Sequence, residues 1–231
     1  MSSASTRLPT TATDTGALFT AMTSPAGGQV GERRVTGVFG ERNGLDPEPR
    51  SQRQCVEDRP ELAAALGLTD LRPLVPDQDG TLPPGHSQSG RTGTGRIGRL
   101  PTPLTLAAFV DHVAESLPVT VSGVRAAGEK SRLITTVALC GGAGDSELAT
   151  ATTAGADVYL TSDLRHHVVS EHIADPLAPA VVEVAHWAGE WPWLANAARV
   201  ITTAAANGTL TGSVTTTVSA LRTDPWTIHR H

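Results

Sequence analysis

The chain has 231 residues, 18 Lys and Arg against 23 Asp and Glu, a formal net charge of −5 and only 3% aromatic side chains. That acidic balance lacks the basic face of a dedicated nucleic-acid binder, and no apolar run approaches the roughly 18 residues that a membrane span needs. Two cysteines, Cys55 and Cys140, are too few for a disulfide scaffold and suggest a reducing, cytoplasmic setting, and the first twenty residues show no basic stretch followed by an apolar one.

In chain order, the first half reads as weakly structured. Residues 1–100 carry eleven Arg and eleven acidic residues, and their only aromatics are Phe19 and Phe39. Residues 101–231 carry seven basic and twelve acidic residues, and all four Trp and the single Tyr lie beyond residue 155. Large side chains dominate burial, so the C-terminal part is the one equipped to build a core. Residues 1–54, rich in Ser, Thr, Ala, Gly and Arg, show no sustained period and read as a low-complexity, disordered arm. Within them, 17–22 has the pattern of a helical turn and 34–39 that of a short strand. Residues 60–68 read as a short helix closed by Gly67, and 77–98, with Pro83, Pro84 and many Gly and Ser, as a linker.

From residue 99 the pattern becomes α/β. Leu106, Phe109, Val110 and Val113 give one helical face over 105–116, capped by Thr102 or Thr105 and ended by Pro118. Strands are expected at 119–124, 133–140, 157–161 and 180–185, and a long one at 209–221. Helices are expected from Asp145 or Ser146 to about 154, over 164–174 and over 193–206, with Gly155 and Asn207-Gly208 as stops. The strand–helix–strand spacing predicts βαβ units with right-handed crossovers in a mixed sheet flanked by helices.

Ligands of open α/β sheets gather at the carboxyl ends of the strands, and three such ends carry polar residues. In the third, His186 and Glu190 stand four apart, which places an imidazole and a carboxylate on one face of a helical turn, within reach of one divalent ion such as Zn, Mn, Fe or Ni. An ordinary ion pair, or a histidine packed on Trp187 and Trp191, satisfies the same spacing. In the second, Asp163, His167 and Glu171 share a helical face, suiting either a second metal site or a solvated, salt-bridged surface. In the first, Gly141–Gly144 ahead of a helix can receive an anion on its backbone N–H groups or merely permit a tight turn. Cys140 before it reads as a small buried residue rather than a reactive thiol. Gly93-Thr94-Gly95-Arg96-Ile97-Gly98 matches a dinucleotide fingerprint by letter, but Pro101 and Pro103 follow where a helix would have to open.

Four blocks then carry a resemblance: Cys140-Gly141-Gly142-Ala143-Gly144-Asp145-Ser146, Thr161-Ser162-Asp163-Leu164-Arg165-His166-His167, Val184-Ala185-His186-Trp187-Ala188-Gly189-Glu190-Trp191-Pro192-Trp193 and Thr223-Asp224-Pro225-Trp226. In order over about 99–226, they resemble the C-terminal part of the GTP cyclohydrolase 1 type 2 homologue family, in its actinobacterial form. The use of Arg over Lys, with Lys130 the only lysine, agrees with a high-GC genome. The resemblance implies two similar α/β domains, a dinuclear metal centre between them and a hexameric ring of subunits. It carries metal ligation onto His186 and Glu190. It also implies further ligands from the first half, a His-His pair and an Asp, yet no His precedes His86. Residues 55–76 then read as a remnant of the first domain and 99–231 as the metal-binding domain. A truncated or frameshifted upstream frame would account for 1–54, and translation of the gene in three frames tests that.

Two functions are therefore expected. One is a metal-dependent hydrolase of the cyclohydrolase type, acting on a phosphate-bearing or purine-like small molecule with an incomplete dinuclear site. The other is a non-catalytic relative that binds metal or serves oligomeric assembly. Two ligands fall short of the about three that a catalytic ion takes from its protein, so weak metal binding and little catalysis are expected of this chain.

Overall fold

The computed structural model of the chain describes residues 17–24, 33–39, 60–76, 93–208 and 213–230. Its main body is a six-stranded mixed sheet in the order β3-β4-β6-β7-β8-β5. These strands are β3 (Thr69–Pro76), β4 (Gly93–Thr105), β5 (Val124–Ala127), β6 (Leu133–Ala143), β7 (Val158–Ser162) and β8 (Ala180–Val184). Strands β6, β7 and β8 run parallel, while β3, β4 and β5 join antiparallel. A second, three-stranded antiparallel sheet combines β1 (Ala17–Ser24), β2 (Arg33–Phe39) and β9 (Ser213–Val218) in the order β2-β1-β9.

Period-two alternation assigns the two faces of the main sheet. Val137 and Leu139 of β6, with Val158 and Leu160 of β7, point to a core closed by α1 (Pro60–Ala65) and α2 (Leu106–Ser116) through Leu62, Phe109 and Val113. Ala138, Cys140 and Tyr159 point to the other face, closed by α3 (Leu148–Thr153) with Leu148 and Ala151, and flanked by Val168 and Val169 of α4 (His166–Ile173). Parallel strands covered on both faces become continuously apolar, and every residue of β7 is buried. The remaining helices are α5 (His186–Glu190) and α6 (Trp193–Ala206). Among the described residues no helix is long and apolar enough to cross a membrane.

Local signals explain most boundaries. Thr105 caps α2 by accepting the N–H of Ala108 at 3.2 Å, and Gly67, at φ +66°, turns the chain after α1 in a conformation open to glycine. Several expectations are corrected. The strand expected at 119–124 forms at Val124–Ala127, because Thr120–Gly123 makes a turn with Gly123 at φ +65°. The last strand, Ser213–Val218, ends before the expected residue 221, and residues 209–212 lie outside the described residues. The helix expected from Asp145 begins as a 3-10 turn, Asp145–Glu147, without a side-chain cap. Residues 17–22, read as a helical turn, lie in β1. The boundary placed at residue 99, with a linker before it, falls inside β4, whose first half pairs with β3, so the sheet begins at Thr69. The rest of the 1–54 arm and residues 77–92 lie outside the described residues.

Candidate metal centre

Because β6, β7 and β8 are neighbours, the three polar turns after them do meet. Arg165 Nη2 donates to Asp145 Oδ2 at 2.7 Å, joining the second turn to the first. His186 Nδ1 donates to Asp163 Oδ2 at 2.6 Å, joining the third to the second. Asp163 follows β7 directly and sits at φ +57°, a left-handed conformation that Asp tolerates better than most residues. Its carboxylate is thereby turned toward the start of α5.

His186 and Glu190 open and close α5, so the expected one-turn spacing is realised: Nε2 of His186 lies 3.5 Å from Oε1 of Glu190. The histidine side chain is 39% exposed and the glutamate side chain 14%. The two carboxylates occupy opposite ends of the ring, so three residues lie in line rather than around one point. That arrangement pushes the His186 pKa up to about 10, through the bond to Asp163 first and the contact with Glu190 second, against an opposing effect of burial. Asp224 stands near Asp163; burial and the Asp163 charge raise its pKa, opposed by Arg222, and its Oδ2 has no hydrogen-bond partner among the described residues.

The pair fits a divalent ion in chemistry and in spacing. Two donors on one tetrahedral ion, with bonds of about 2.1 Å, lie about 3.4 Å apart, close to the observed 3.5 Å. An imidazole whose far nitrogen is tied to a carboxylate is a common form of metal-binding histidine. No group of three or more His, Cys, Asp or Glu among the described residues is arranged to hold an ion, so His186 and Glu190 stand as a pair of candidate donors.

The other candidates fare differently. The helical face expected of Asp163, His167 and Glu171 does not form, because α4 starts only at His166 and Asp163 faces His186 instead. Its role as a partner of His186 went unread in the sequence; an Asp at the carboxyl end of the strand beside β8 was the available signal. Gly141 and Gly142 do not break the chain as expected but continue β6 to Ala143, and the carbonyls of Gly142 and Gly144 accept hydrogen bonds from Thr161 at 2.9 Å and Tyr159 at 2.8 Å, which packs this segment against β7. Cys140 is 1% exposed, a small buried residue of β6 as expected. Trp187 is buried beside the site, the Trp191 indole donates to the Ser219 carbonyl at 3.2 Å, and Trp226 is exposed. Ser162, fully buried under Gly189 of α5, has a hydroxyl with no hydrogen-bond partner among the described residues.

Comparison with known proteins decides the family. The family model Duf34/NIF3 (NGG1p interacting factor 3) matches residues 59–225. The chain belongs to the DUF34/NIF3 family. Relatives named GTP cyclohydrolase 1 type 2 homolog include that of Streptomyces coelicolor, 43% identical over 170 residues, covering 73% of this chain and 55% of the relative. That of Mycobacterium leprae is 43% identical over 159 residues, covering 69% of this chain and 37% of the relative. This DUF34/NIF3 chain thus spans about a third to a half of those relatives. Among solved structures, a Bacillus cereus protein related to NIF3 superposes with a TM-score of 0.52 at 29% identity, over 60% of this chain and 37% of that one. Staphylococcus aureus protein SA1388 superposes at 0.59 with 19% identity, over 73% and 64%, a likeness of fold.

Proposed function

We propose that this DUF34/NIF3 chain binds a divalent metal ion through His186 Nε2 and Glu190, with zinc, manganese, iron and nickel all suited to that donor pair. The observation that supports the reading is the 3.5 Å approach of an imidazole nitrogen and a carboxylate oxygen on one turn, at the carboxyl edge of the sheet. When bound, such an ion supplies Lewis acidity and an activated water for hydrolysis. The chain's own residues present the donors, with β8 feeding α5 so that both side chains face the mouth of the sheet.

A metal-dependent hydrolase of the cyclohydrolase type, with a phosphate-bearing or purine-like small molecule as substrate, is the activity suggested by the names of the relatives. A catalytic ion takes about three protein ligands and a dinuclear centre takes more. Hydrolysis therefore depends on donors beyond His186 and Glu190, and without them the chain is a weak metal binder in a homo-oligomer, a hexamer by the family resemblance. The second reading is a non-catalytic metal-binding or assembly protein, in which the doubly carboxylate-bound His186 serves as a structural ion pair.

Metal analysis of the purified chain tests this. Binding that is lost on His186→Ala supports the assignment, and metal content unchanged by that substitution refutes it. About two ions per chain favour the hydrolase, and well under one favours the second reading.

A further inference from the structure

We propose that Asp163 is a positioning residue for the metal site. It holds the His186 ring by Nδ1, so that Nε2 is the nitrogen turned toward Glu190. This rests on the reading of His186 and Glu190 as ligands, and adds a residue that makes no contact with the ion.

Three observations converge. The Asp163–His186 contact, at 2.6 Å, spans 23 residues of sequence and two neighbouring parallel strands, so it is a product of the fold rather than of local chain geometry. Asp163 reaches it from a left-handed backbone conformation at φ +57°, one of only two such non-glycine positions among the described residues. Asp enters this conformation more readily than most residues, and here it turns the carboxylate toward the imidazole. The opposite nitrogen faces Glu190 at 3.5 Å, leaving no ambiguity about which edge of the ring is presented. An imidazole on a half-exposed, five-residue helix would otherwise be free to rotate about its side-chain torsions. One carboxylate at Nδ1 removes that freedom and makes Nε2 the better donor.

The test uses Asp163→Asn, which keeps the left-handed tolerance and an accepting oxygen but drops the charge, and Asp163→Gly, which relieves the backbone and deletes the acceptor. Zinc affinity is measured by competition with a chromophoric chelator, and unfolding by urea in the presence of EDTA. Expected are an affinity loss of about tenfold for Asn and nearer a hundredfold for Gly, with both variants folded. A double-mutant cycle of Asp163→Asn with His186→Gln in EDTA is expected to be non-additive, which a structural role independent of the histidine would not produce. Unchanged zinc affinity in both folded variants, or additive effects in the cycle, overturns the proposal. A chain that shows coupling in the cycle yet takes up no zinc overturns the metal reading, and with it Asp163's positioning role, while the contact itself stands.

Discussion

Tyr159 donates its phenolic hydrogen to the carbonyl oxygen of Gly144 across 2.8 Å. The ring is fully buried, and burial raises its pKa so that it stays a neutral donor. A Cβ at position 144 would come within 2.5 Å of that hydroxyl, and it would also collide with the Thr161 hydroxyl. Replacing Tyr159 by Phe leaves the Gly144 carbonyl buried without this donor and costs about 1–3 kcal/mol. Gly144→Ala costs at least as much through overpacking. Urea unfolding of the two variants checks both.

Asp157 ties the loop before β7 to the start of β6. One of its oxygens accepts the backbone N–H of Thr135 at 2.9 Å and of Thr136 at 2.7 Å. Asp157→Ala removes both acceptors at once and is expected to lower stability by roughly 1–3 kcal/mol. Asp157→Asn, which keeps an accepting oxygen, loses less. Thermal melts in one buffer rank the three proteins, and equal midpoints would contradict the assignment.

The His186 pKa, pushed up to about 10 in the metal-free fold, sets the direction of a pH effect. The folded value exceeds the unfolded value of about 6.5, so the folded state binds the extra proton between them. The stability this contributes is fully present below about pH 6.5 and is lost as pH rises through about 10. The His186→Ala variant is expected to show a flatter profile in EDTA over that window. Zinc must displace the same proton, so apparent affinity rises with pH over the same range. Affinity independent of pH between 7 and 9 would contradict the charged ring.

Much of the fold was legible because its signals are local. The apolar spacing of Leu106, Phe109 and Val113 marked α2, and the apolar, partly β-branched run 133–140 together with the helix stop at Gly155 marked the βαβ unit. The sheet's antiparallel half was not legible, because the first half of β4, with Gly93, Gly95 and Gly98, fell within the Gly-rich 77–98 that reads as a linker, and β3 fell within 55–76, where no strand was marked. Those glycines answer a packing demand: a Cβ at Gly95 would come within 2.8 Å of the Leu139 carbonyl and one at Gly98 within 2.6 Å of Leu71. The His186–Glu190 pair was legible from its spacing within one turn. Its link to Asp163 was not, since a contact over 23 residues depends on which strands are neighbours.

The most direct measurement is anomalous X-ray diffraction from crystals of the chain grown with zinc, recorded on both sides of the zinc absorption edge. The account predicts a peak bonded to His186 Nε2 and a Glu190 carboxylate oxygen, with Asp163 still on Nδ1. Zinc bound only elsewhere, or a His186 ring turned away from Glu190 with no anomalous peak at Nε2, would contradict it.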